Sequence, residues 1–169
     1  MNNTSRWLGL LMVVLVSGCA ANPPFSAEKL MMVDRSLTPQ HVSQNNIAPK
    51  TAVLWGGVIV DSRNMNDYTE LTVLGYPLDS SQRPETAKTS IGRFLVRRPE
   101  YLEPLIYSPK REITVVGMVD EVTEGRVGDS PYHYPVVKAD RIYLWPLRSA
   151  GASRFSIGVG VGVGVGIIR

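Results

Sequence analysis

Between Ala52 and Pro146 the chain breaks into short runs whose apolar residues keep to alternate sides, and this rhythm constrains the fold more than any other feature. In "YTELTVLGYPLD" (68–79), Leu71 and Val73 fall on one face and Glu70 and Thr72 on the other. That is the period of two that a half-buried strand requires. "GRFLVRR" (92–98) sets Phe94 and Val96 against Arg93, Leu95 and Arg97, and "REITVVGMVDEV" (111–122) alternates Ile113, Val115 and Val119 around Gly117. "AVLWGGVIVD" (52–61) is mostly apolar, and its central Gly56-Gly57 predicts a bulge or sharp bend. "HYPVVKADRIYLWP" (133–146) has extended character, with Pro135 pushing it toward an edge or a strand start. Polar turns separate most of these runs, and long helical periodicity is scarce. The expectation is an all-β domain over 52–146, a small five-stranded OB-like barrel.

The front of the chain obeys different rules. Arg6 precedes ten uncharged residues, Trp7 to Val16, followed by Ser17, Gly18 and Cys19. A basic start, an apolar stretch and small residues before a cleavage point make a secretory leader over 1–18. Ten residues are too few for a spanning helix, which needs roughly 20. Val16-Ser17-Gly18-Cys19 resembles a bacterial lipobox, which implies cleavage before Cys19 and its acylation with palmitate-type chains. Each buried methylene adds about 0.8 kcal/mol, so several chains on one residue make a durable anchor. Ala20 follows, not Asp; by the same resemblance this favours the outer membrane over retention at the inner one.

Residues 19–51 read as a lipidated cysteine and linker. Asn22-Pro23-Pro24 begins an extended spacer, and Ser26 to Val33 offers an N-cap and good helix formers for one short helix. Docking of that helix on the domain would bury Leu30, Met31 and Val33. Thr38-Pro39 and Ala48-Pro49 interrupt the chain. Without the leader, 151 residues remain, and losing Arg6 takes the formal charge from +3 to +2. So mild a charge points to no nucleic-acid partner. With Cys19 the sole cysteine and only two histidines, no zinc site, disulfide or cofactor is expected.

The segments "WGGVIVDSRN", "TELTVLGYPLDSSQRP", "GRFLVRRPEYLEPLIY", "ITVVGMVDEVTEGRVGDSPYHYPVVKAD" and "IYLWP", behind the lipobox, resemble the Slp family of outer-membrane lipoproteins over roughly residues 19–146. The resemblance implies a Gram-negative envelope location associated with starvation or stationary phase. It transfers no catalytic residue.

"GRVGDSPYHYP" (125–135) is the densest group of unusual residues. Gly125, Gly128 and Asp129-Ser130-Pro131 signal a turn. One reading is a hairpin loop whose tyrosines cover the barrel end. Another is a ligand rim of Asp129, Tyr132, His133 and Tyr134 that holds an envelope protein or glycan. A third is a hydrolase using Ser130 and His133, although a triad needs a base in reach of its nucleophile and a third group to hold it. Arg93, Arg97 and Arg98 read as a solvated sheet face or a contact for lipid phosphates. The tail over 147–169 ends in "FSIGVGVGVGVGIIR", whose apolar residues all point one way if extended. It is a flexible end, or a ribbon for pairing and oligomerisation through 156–169, or a membrane-surface contact.

Overall fold

The computed structural model describes residues 23–148. The leader, Cys19 and residues 149–169, with the proposed oligomerisation segment, lie outside the described residues. Five strands follow in order: β1 (Ala52–Asn64), β2 (Thr69–Tyr76), β3 (Arg93–Arg98), β4 (Glu112–Val127) and β5 (Ser130–Leu144). Their ladder runs β1-β2-β3-β5-β4 and closes on itself. Every pairing is antiparallel except β3 with β5. This is the expected five-stranded OB-like barrel.

Closure depends on β1 serving two neighbours. Ala52–Val58 pair with β4 while Gly56–Asn64 pair with β2, so the glycine pair sits where the two ladders overlap. A Cβ on Gly57 would stand 2.1 Å from the Leu74 carbonyl oxygen, so no side chain is tolerated at this crossing. The register slip itself falls slightly later, between Ile59 and Asp61. The glycines supply the close approach, and the bulge follows in the β2 ladder.

The alternation read from sequence is the alternation of the core. Trp55, Leu71, Val73, Phe94, Val96, Ile113, Val115 and Val119 are buried together inside the ring. Trp55 meets Phe94 edge to face with centroids 5.3 Å apart. Each such side chain contributes about 1.5–3 kcal/mol on burial, against the chain entropy lost on folding.

The helical content differs in place from expectation. Ser26 to Val33 forms only a single 3₁₀ turn, Glu28–Leu30, whose cap residue Ala27 makes no side-chain hydrogen bond. Val33 already bridges Ala52 in parallel, so the chain has turned toward the barrel before a helix can grow. The α-helix, α1, is Pro39–Asn45. Thr38-Pro39 starts it: Thr38 Oγ1 accepts the His41 N–H at 3.2 Å, and Pro39 takes the first turn, where its missing N–H costs nothing. Asn46 ends it in the left-handed region at φ 50°. Val42 is buried among the barrel's core residues. The Gln40 N–H donates to the Ile91 carbonyl at 2.9 Å.

The segment before α1 is packed as well. Phe25 and Leu30 are buried against Val116 on the outside of the barrel, with Val33 and Leu54 beside them. Gln82 brackets the Phe25 peptide: its Oε1 accepts the Phe25 N–H at 3.1 Å and its Nε2 donates to the Phe25 carbonyl at 2.8 Å. Met31 and Met32 stay 81% and 88% exposed. No helix among the described residues is long and apolar enough to cross a membrane.

Candidate functional site

The 125–135 segment is a pair of strands joined by a minimal turn. β1 pairs with β4 only as far as Met118, and β3 pairs with β5 only from Val136. Beyond those points the two strands continue alone, down to Val127 opposite Ser130. Only Gly128 and Asp129 lie between them. Gly128 has φ 58° and is followed by a residue with ordinary φ, which suits a two-residue hairpin turn with glycine first. The sequence signal for the turn was correct; the strands on either side are longer than the Gly and Pro content suggested.

Extended geometry then sorts the candidate residues. Side chains two apart share a face and side chains three apart do not. Tyr132 and Tyr134 therefore point the same way, with rings 4.7 Å apart at 65°. Tyr134 is buried with Leu95 and Val136, and Val127 and Tyr132 pack against them. The Tyr132 hydroxyl accepts the Arg93 N–H at 2.9 Å, and the Tyr134 hydroxyl donates to the Arg126 carbonyl at 3.1 Å. The two tyrosines thus fasten the hairpin over the outer side of β3. Asp129 sits exposed at the turn. His133 faces the other way and lines a recess of about 400 Å³ with Glu124, Arg126 and Pro131. Ser130 and His133 lie on opposite faces of β5, and no hydrogen bond joins them among the described residues. No cluster of three or more His, Cys, Asp or Glu suited to a metal occurs among the described residues.

Two of the three basic residues of β3, Arg97 and Arg98, are engaged through their side chains, while the Arg93 guanidinium has no partner among the described residues. Arg97 donates to Glu70 at 2.8 Å and also to Glu121, and its guanidinium lies 5.2 Å over the Tyr68 ring. Partial burial pulls its pKa down, but the hydrogen bonds and charges of the two glutamates outweigh that and hold it above the ordinary value. Arg98 pairs with Glu100 at 2.6 Å and donates to the Ala139 carbonyl at 2.9 Å. Nearby, Asp120 receives Lys138 at 2.6 Å and Lys50 at 3.0 Å. Hydrogen bonds from those lysines keep its carboxyl below the usual range. OB domains commonly carry ligands on the β2–β3 face. Here ion pairs occupy that face, and the hairpin covers Leu95 on it.

A roomier concavity than the His133 recess lies elsewhere among the described residues. A groove of about 590 Å³ opens between the segment around Phe25 and Leu30, β1, and the β2–β3 connection. Sequence reasoning missed it because that segment read as a linker. The signal available was Phe25 together with the apolar run Leu30 to Val33, more large apolar side chains than a solvated tether needs.

Known proteins add a lineage to this geometry. The profile of the Outer membrane lipoprotein Slp family matches residues 16–158. An uncharacterized protein of Haemophilus influenzae is 32% identical over 135 residues, covering 78% of this chain and 71% of that one. The uncharacterized lipoprotein YeaY of Escherichia coli is 27% identical over 139 residues, 79% of this chain and 68% of its own. The outer membrane protein Slp of Escherichia coli is 24% identical over 158 residues, 93% of this chain and 83% of its own. No solved structure matches. A family profile spanning most of the chain, on a barrel whose core follows the sequence's own alternation, shows that this protein belongs to the Slp family of outer membrane lipoproteins.

Proposed function

We propose that acylated Cys19 holds this barrel against the periplasmic side of the outer membrane, where it serves as a non-enzymatic binding or scaffolding module of the starved or stressed envelope. The observation that carries the reading is the shortness of the tether. Phe25 is already buried, at 3% exposure, six positions after Cys19. Fully extended, that span covers about 20 Å. The barrel therefore works at the bilayer surface and meets what is found there. Its hairpin reaches beyond the ring and presents Asp129 and the His133 recess to an envelope protein or glycan.

Two measurements test this. Mass analysis of the amino-terminal peptide from cell-purified protein should show a lipid-modified Cys19, and Cys19→Ser should move the protein out of the outer-membrane fraction. A photo-crosslinker at position 133 in intact cells should yield a discrete adduct that Asp129→Ala weakens. An unmodified, leader-bearing chain would end the anchoring reading. Labelling of Ser130 by an activated-serine probe would replace binding with hydrolysis.

A further inference from the structure

We propose that the groove beside the anchor holds one acyl chain of an anionic membrane phospholipid, with Arg35 receiving the phosphate. This rests on the anchoring reading for its setting, but its physical basis is separate. The groove's volume, about 590 Å³, lies within the roughly 300–1,000 Å³ typical of small-molecule sites. Its walls are predominantly apolar: Phe25, Leu30, Leu54, Trp55, Leu78 and Ile91 all line it. A polar ligand would find few partners along these walls, whereas a hydrocarbon chain is driven in by the methylenes it removes from water.

The polar groups at the rim narrow the choice. Asp79 lines the groove, but its carboxylate already accepts the Ser81 N–H at 2.8 Å and the Arg83 N–H at 2.9 Å. Gln82 is occupied by the Phe25 peptide. Arg35 is different. It is exposed, lines the groove, and has no hydrogen-bond or ion-pair partner among the described residues. An unengaged guanidinium at the mouth of an apolar slot complements an amphiphile with an anionic head, because its fork of donors matches phosphate oxygens.

Location selects the source. Pro23 is itself a lining residue, and Cys19 stands four positions before it. Four residues span at most about 14 Å. A lipid-bearing Cys19 thus places the groove within one short tether of the membrane, where phospholipid is the abundant amphiphile. Met31 and Met32, exposed next to the lining residue Leu30, add flexible apolar contact on the same segment.

Trp55 lines the groove and provides the assay. In full-length protein carrying Trp7→Phe and Trp145→Phe, Trp55 is the sole emitter. Detergent micelles containing phosphatidylglycerol with brominated acyl chains should quench its emission, and the phosphatidylcholine counterpart should do so more weakly. Arg35→Glu should weaken the apparent affinity for the anionic lipid about tenfold. Ala27→Phe, at an exposed lining position, should fill the groove and abolish quenching by both lipids. Unchanged circular dichroism in each variant separates these effects from misfolding. Absent quenching, or quenching that neither variant alters, overturns the proposal. Quenching seen only after Cys19→Ala would make the protein's own acyl chain the occupant, and quenching seen only after deletion of 156–169 would make it the tail; either refutes a phospholipid. Quenching that persists in protein whose Cys19 proves unmodified would uphold the groove while removing the anchor.

Discussion

Replacing Tyr132 with Phe removes one oxygen atom, and its consequence can be followed through the structure. β3 meets β5 only from Leu95 opposite Val136 onward. Arg93 lies just before that point, so its N–H has no ladder partner on the β5 side, and the Tyr132 hydroxyl takes it at 2.9 Å. Without the hydroxyl this partly buried N–H has no protein acceptor, a cost of about 1–3 kcal/mol, at the lower end where water can enter. The ring itself remains against Tyr134, so the edge-to-face pair is retained. Tyr134→Phe serves as the comparison: it frees the Arg126 carbonyl, and losing a hydrogen bond of that kind costs about 0.5–1.5 kcal/mol. Urea titration should show a lower midpoint for Tyr132→Phe with an unchanged slope, since the same surface is exposed on unfolding. Hydrogen exchange at the Arg93 amide should quicken about tenfold for a loss near 1.4 kcal/mol. If the midpoint and the Arg93 exchange rate both match the parent protein, the tyrosines do not fasten the hairpin to β3, and the β2–β3 face is open after all.

Two further outcomes follow from the backbone and from charge. Gly57→Ala should prevent barrel formation, because its new Cβ meets the Leu74 carbonyl, whereas Gly128→Ala has empty space around it and should cost only the about 1–2 kcal/mol of its positive φ; thermal melts of the pair distinguish clash from strain. Asp120, held below its ordinary value of 3.8 by Lys138 and Lys50, stabilises the fold fully above that pH and loses its contribution as pH falls through the lower folded value. Asp120→Asn should therefore flatten this part of the melting profile in acid and leave the profile above pH 5 parallel to that of the parent.

Much of the architecture was legible because a barrel interior accepts only alternate side chains. Leu71, Val73, Phe94, Val96, Ile113 and Val115 announce their face by position, and the ring they imply is the ring observed. Leu95 did not announce itself, since its burial comes from a hairpin that folds over the outer face and leaves no local trace at position 95. The helix was missed at Thr38-Pro39 because the same dipeptide that breaks a chain also begins a helix, and only the packing of Val42 decides between them. Of the candidate rim, the sequence brought four residues to one hairpin but could not sort them. A single added residue would exchange the faces of His133 and Tyr134, and the register that separates them is set by turn length. Arg35 was invisible because its distinction lies in what its neighbours already hold.

The pairing of Ala52 with Met118 also has a bearing on synthesis. That seam joins residues 54 to 66 positions apart, and β3 keeps a raw edge until Val136 to Lys138 arrive beside it. A nascent chain holding only the first three strands has no way to complete the cylinder, and long-range pairing of this kind is slow to form. The polypeptide thus stays threadable for most of its translation, a property that suits passage through a narrow translocation pore ahead of folding on the far side.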